Sequence, residues 1–134
     1  MTTLSLHPFE DRFVERFFHG LESNGEKLIT PPVDLFESGD AYRIELELPG
    51  VSKEAIEVKL DGLVLSVEAK RERAELSDGV QQHRSERSHG RYSRRFKLSN
   101  DIRKDQIKVA YDHGVLTVSI PKSEQEKVRT LEVN

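Results

Sequence analysis

The chain has no cysteine, no long apolar run and no surplus of positive charge, and each lack removes a class of proteins. Without cysteine there are no disulfides, no thiolate nucleophile and no Cys-type zinc site, a composition that fits a reducing compartment. No stretch approaches the roughly 18 apolar residues of a membrane-crossing helix. The first residues, MTTLSLHPFEDRF, lack the basic and apolar segments of a secretion signal, so a cytoplasmic protein with no membrane partner is expected. With 21 basic and 24 acidic residues the net charge is -3, and no global field favours nucleic acid as a partner. Catalytic motifs are missing too: there is no GxSxG, no glycine-rich phosphate loop and no GxGxxG. The histidines, His7, His19, His83, His89 and His113, include no pair four apart as a helical zinc site requires. An enzyme, a metal and a cofactor are therefore not expected. Hydrophobic residues are scarce as well, 35% against 34% charged in 134 residues, which allows one domain with a thin core.

What is present is a succession of strands. In AYRIELEL, Tyr42, Ile44, Leu46 and Leu48 alternate with Arg43, Glu45 and Glu47, so one face is buried and the other wet. Pro49 and Gly50 stop that strand. IEVKL and LVLSVEA flank Asp61-Gly62, which predicts a hairpin with a type I′ turn and positive φ at both central residues. YSRRFKL follows, and IKVAY and VLTVSI form another hairpin across Asp112, His113 and Gly114. Side by side, Asp112 and His113 invite an acid–base reading, but a glycine follows and strands flank them, so the pair reads as turn chemistry. Short antiparallel strands at this spacing with hardly a helix among them predict an all-β sandwich or barrel.

Three segments fall outside that pattern. Near the start, Phe9, Phe13, Phe17 and Leu21 recur every four residues, with Val14 and Phe18 widening the stripe of an amphipathic helix. Such a helix either packs on its own domain or serves as an apolar arm for partners. SNGEKLITPP then reads as a linker. Between Lys70 and Gly90 runs a long polar loop without an apolar period, a length that is usually functional. After Pro121, KSEQEK is too polar to pack, and Leu131 and Val133 stand two apart so that an extended chain points both to one side.

The cluster RSERSHGRYSRR has the composition of a single-strand nucleic-acid platform, but in an acidic protein ion pairs across strands and subunits are the preferred reading. Alternation puts Arg94 on the apolar side with Tyr92, Phe96 and Leu98. A guanidinium there needs a carboxylate or carbonyl partner, in a partly buried network or at a subunit interface.

These residues resemble the small heat-shock proteins, the α-crystallin family. PPVDLFESGDAYRIELELPGVSKEAIEV is similar to the family's opening strands with their LPGV turn. LDGLVLSVEAKRE resembles the next hairpin, SHGRYSRRFKL the G-x-[FY]-x-R-x-F-x-L strand, and IKVAYDHGVLTVSIPK the closing hairpin and its Pro-Lys end. Leu131-Glu132-Val133 resembles the C-terminal I-x-[IV] anchor. The resemblance departs at Ser99, where the family has proline, at His113, where it has asparagine or aspartate, and at Val109, which narrows part of the groove. Leu-x-Val also fills less volume than Ile-x-Ile.

The resemblance implies an immunoglobulin-like sandwich over residues 32–121, a Phe-rich helical arm over 1–31 and an extension over 122–134. It implies that residues 71–90 carry a strand swapped onto a partner subunit, giving homo-oligomers built from dimers, with Arg84, Glu86 and Arg94 at the dimer interface. Leu131 and Val133 would dock in a groove formed by Val58, Leu60, Ile107 and Val109. The expected function is an ATP-independent holdase that binds partly unfolded clients through Phe9, Phe13, Phe17 and Phe18 and leaves refolding to ATP-dependent chaperones. The alternative is an adaptor of the CS-domain co-chaperone type that binds one folded partner.

Overall fold

The structure, a computed structural model, describes residues 27–124 and 130–134. The expected arm helix, with Phe9, Phe13, Phe17 and Phe18, lies outside the described residues.

Among the described residues eight strands form two four-stranded sheets packed as a sandwich. They are β1 (Leu28–Ile29), β2 (Val33–Glu37), β3 (Ala41–Glu47), β4 (Ile56–Asp61), β5 (Val64–Arg71), β6 (Gly90–Lys97), β7 (Lys108–Asp112) and β8 (Val115–Pro121). The first sheet has the order β1-β6-β5-β4 and the second β2-β3-β8-β7. All pairings are antiparallel except β1 with β6.

Alternation decides which side chains enter the core. Tyr42, Ile44 and Leu46 of β3 face Leu116, Val118 and Ile120 of β8, while Leu65, Val67 and Ala69 of β5 pair with Phe96, Arg94 and Tyr92 of β6. Of these only Arg94 is not an apolar or aromatic member of the buried cluster. Every residue of that cluster is at most 8% exposed, so the thin core is a well-sealed one.

Two local expectations are corrected. The β4–β5 turn is not a type I′ turn with positive φ at both Asp61 and Gly62. Asp61 pairs with Val64 as the last ladder residue, and Gly62 (φ 60) is the one residue of the Gly62-Leu63 loop with positive φ. Glycine at the first loop position is the demand of a II′ hairpin. In the other hairpin, His113 (φ 51) and Gly114 (φ 77) both have positive φ, as a I′ turn needs. The linker expected before residue 32 also belongs in part to the sandwich, because Leu28 and Ile29 pair with Arg91 and Tyr92 and Pro31 is fully buried.

Candidate docking groove and dimer edge

β4 is the edge of the first sheet and β7 the edge of the second. The chain that leaves β3 passes under β7 on its way to β4. There the Tyr111 hydroxyl lies 2.7 Å from the carbonyl oxygens of both Leu48 and Val51. One proton shared between two acceptors fixes the ring, and Leu48 N–H donates to Gly114 O at 2.7 Å alongside. These bonds tie the segment that leads into β4 to β7 and its turn. Val58 and Leu60 on β4, and Ile107 just before β7, are half-buried against the core. Val109 is 46% exposed and stands as the outer member. The four residues expected to form a groove therefore lie on or beside the outermost strands of the two sheets, three of them half-buried and Val109 exposed.

Leu131 and Val133 are 83% and 97% exposed, so neither is buried by its own chain. The start of the extension is held firmly instead. Lys122 Nζ lies 2.8 Å from Glu37 Oε1, with both side chains almost wholly buried. The ammonium also sits 4.8 Å from the centre of the Tyr42 ring. Tyr42 OH donates to the Asp101 carboxylate at 3.3 Å, while Lys122 N–H and Ser123 N–H donate to Asp40 O and Asp101 O. The hydrogen bond to Glu37 is the main reason the Lys122 ammonium titrates above its ordinary value, and burial is the main reason Tyr42 does. Sequence reasoning missed this cluster. The signal was there: alternation puts Glu37 on the inner side with Val33 and Leu35, and a carboxylate on an apolar face demands a cation.

A further free margin, besides the two-residue β1, is β2, which pairs among the described residues with β3 alone. A strand edge of unpaired N–H and C=O groups is a template for another strand. Residues 72–89 contain no strand, and Leu76 and Val80 on this loop are 55% and 53% exposed around a turn closed by Val80 N–H to Ser77 O. Arg84 and Glu86 are exposed on its returning limb. Arg94 lies on the inner face as alternation required. Its guanidinium donates to Pro31 O at 3.3 Å and stands 5.9 Å from the Phe96 ring centre, fastening the chain between β1 and β2.

Asp112 and His113 are brought together at the exposed turn between β7 and β8. His113 Nδ1 is 2.9 Å from Asp112 Oδ2, with both side chains at least 84% exposed. Exposed pairs of this kind contribute little. His113→Asn is accordingly expected to leave the melting temperature and the assembly size unchanged from pH 5.5 to 7.5, as thermal melts and light scattering would show. A pH-dependent difference from the parent would restore a role for the imidazole.

Among the described residues no helix is long and apolar enough to cross a membrane. Residues 34–134 match the Hsp20/alpha crystallin family. Small heat shock protein C2 of Rickettsia felis is 32% identical over 125 residues, 93% of this chain and 81% of the relative. The 16.9 kDa class I heat shock protein 1 of Triticum aestivum is 39% identical over 105 residues, 76% of this chain and 70% of the relative. Among solved structures, a small heat-shock protein from Xylella fastidiosa aligns with a TM-score of 0.66 at 33% identity, covering 78% of this chain and 95% of that one. Heat shock protein 16.0 from Schizosaccharomyces pombe aligns at 0.67 and 30%, covering 79% and 99%. A sandwich with these open edges and a match running from β2 to the last residue place the chain in the Hsp20/alpha crystallin family, the small heat-shock proteins, with the role of a chaperone.

Proposed function

We propose that the protein is an ATP-independent holdase that binds partly unfolded proteins and delays their aggregation. The observation that carries this reading is the pairing of an unoccupied anchor with an open groove: Leu131 and Val133 stand exposed, and so does the Val109 wall. Burying a Leu or Val contributes roughly 1.5 to 3 kcal/mol, so a two-residue anchor supplies about 3 to 6 kcal/mol before ordering costs. That is a contact of about millimolar strength. Repeated across subunits, such contacts hold by avidity yet open one at a time, so heat or client abundance frees apolar surface without hydrolysis.

In this reading the tail of one subunit docks between Val58 and Leu60 on one side and Ile107 and Val109 on the other side of a neighbour. The loop of residues 71–90 supplies a strand to the open edge of a partner's β2, with Leu76 and Val80 as its apolar contacts and Arg84, Glu86 and Arg94 at the dimer interface. Clients meet Phe9, Phe13, Phe17 and Phe18 of the arm, and are passed on to ATP-dependent chaperones in the cytoplasm.

The test is thermal aggregation of an unrelated client without nucleotide, run beside size-exclusion chromatography with light scattering. Near-stoichiometric protein is expected to suppress the scattering, and Phe13→Ser, Phe17→Ser and Phe18→Ser together to abolish most of that suppression. Leu131→Ser with Val133→Ser is expected to reduce the assembly to dimers. Absence of suppression by the parent chain would end the holdase reading, and an unchanged mass for the tail variant would end the anchor reading.

A further inference from the structure

The long loop does more than project from the sandwich. Where its two limbs return to β5 and β6 they line an open cleft of about 620 Å³. Its lining carries five cationic side chains, Lys27, Lys70, Arg71, Arg73 and Arg87, against two carboxylates, Glu72 and Glu86. This is a local excess of positive charge in a chain whose net charge is -3. The acids do not neutralise the arginines at its centre. Lys70 pairs with Glu72 at 3.8 Å and Arg73 donates to Ser85 Oγ at 3.2 Å. Among the described residues no carboxylate pairs with Arg71 or Arg87.

Those two guanidiniums nevertheless converge. Both close on Gly50, the glycine of the Leu-Pro-Gly turn: a Cβ there would lie 3.3 Å from Arg71 Nε and 3.4 Å from Arg87 Nη2. A glycine with φ 72 at this point leaves room for the guanidiniums against bare backbone. His89 supplies an independent sign, because it lines the same cleft and its Nδ1 is buried with no hydrogen-bond partner among the described residues. Paired guanidinium forks are the arrangement that recognises phosphate oxygens with several charge-assisted hydrogen bonds. The cleft volume lies within the roughly 300 to 1,000 Å³ of small-molecule sites.

We propose that this cleft binds a compact multiple anion of the oligophosphate class, with Arg71 and Arg87 as the central pair and Lys27, Lys70 and Arg73 around it. The site does not depend on the holdase reading, and it is separate from the groove between β4 and β7. Free oligophosphate and the phosphate chain of a nucleoside triphosphate share this chemistry.

The full chain titrated calorimetrically with sodium tripolyphosphate at constant ionic strength tests it. Saturable binding at one ion per subunit is expected, weakened at least tenfold by Arg71→Gln with Arg87→Gln. Lys59→Gln with Lys108→Gln, which removes the same charge away from the cleft, is expected to change it less than twofold. ATP without metal forms the second arm: equal affinity identifies the phosphate chain as the whole ligand, and tighter binding identifies a nucleotide. No saturable binding, equal weakening by both double variants, or inorganic sulfate binding as tightly as tripolyphosphate would overturn the proposal. So would a change of subunit mass in the Arg71/Arg87 variant by light scattering without any phosphate binding by the parent, which would mean that a second copy of the chain fills the cleft.

Discussion

Gly90→Ala is expected to lower the melting temperature by on the order of 15 °C, a loss of about 3 kcal/mol for a domain of this size. Gly90 begins β6 with φ 139, a region that side chains rarely enter, and strain there costs about 1 to 3 kcal/mol. Space is the second obstacle. The added Cβ would collide with the Lys27 carbonyl oxygen, a backbone atom that has no rotamer to escape into. That carbonyl accepts the hydrogen bond from Arg91 N–H at 3.1 Å, the first link of β1 to β6. The variant must therefore push β1 off the sheet, losing its two-residue pairing and the packing of Ile29 against the core. Gly62→Ala is the control, because its φ is 60 but nothing lies within 4 Å of the new carbon. Its loss is expected to stay near 1 kcal/mol, strain alone. Equal losses in the two variants, measured by thermal melts, would mean that docking of β1 has no part in the effect.

Lys122→Met is expected to cost about 3 kcal/mol, because it strands the Glu37 carboxylate in a nearly closed site. Adding Glu37→Gln should restore more than half of the loss, since the penalty lies in the uncompensated charge rather than in the missing attraction. A double variant no more stable than the single one would contradict that account. The pair also sets a pH dependence. The Glu37 hydrogen bond raises the Lys122 pKa above its unfolded value of about 10.4, so its stabilisation is complete below that value. It is lost as pH rises through the higher folded pKa. Tyr42, raised first by burial and then by Asp101, loses stability in the same direction above about pH 10. The parent should therefore lose stability more steeply above about pH 10.5 than Lys122→Met, which keeps only the Tyr42 contribution.

Local alternation made most of the sandwich legible. Tyr42, Ile44, Leu46 and Leu48 announced their own burial, and so did the inward position of Arg94, because a strand side chain has only two directions to take. The His113-Gly114 turn was legible for a similar reason, as few residue pairs accept positive φ in sequence. β1 was not legible. Two residues carry no period, and the pairing that makes Leu28-Ile29 a strand is with β6, more than sixty positions away, through a glycine whose role appears only when the Lys27 carbonyl is in place. The Glu37–Lys122 pair spans 85 positions, so its odd member, a carboxylate on an inner face, was visible while its partner was not. The groove residues were named by resemblance, and the fold sets them on or beside the outermost strands of the two sheets.

The Tyr111 hydroxyl acts as a hinge pin. Its two hydrogen bonds join β7 to the segment that leads into the opposite sheet near the Asp112 end of the strand, while β7 is laddered to β8 of its own sheet from Lys108 to Asp112. Parting of β7 from the segment that leads into β4 is therefore resisted most near Tyr111. A segment docked along this edge, as proposed above, would meet its stiffest wall beside Tyr111 and a more yielding one toward Ile107.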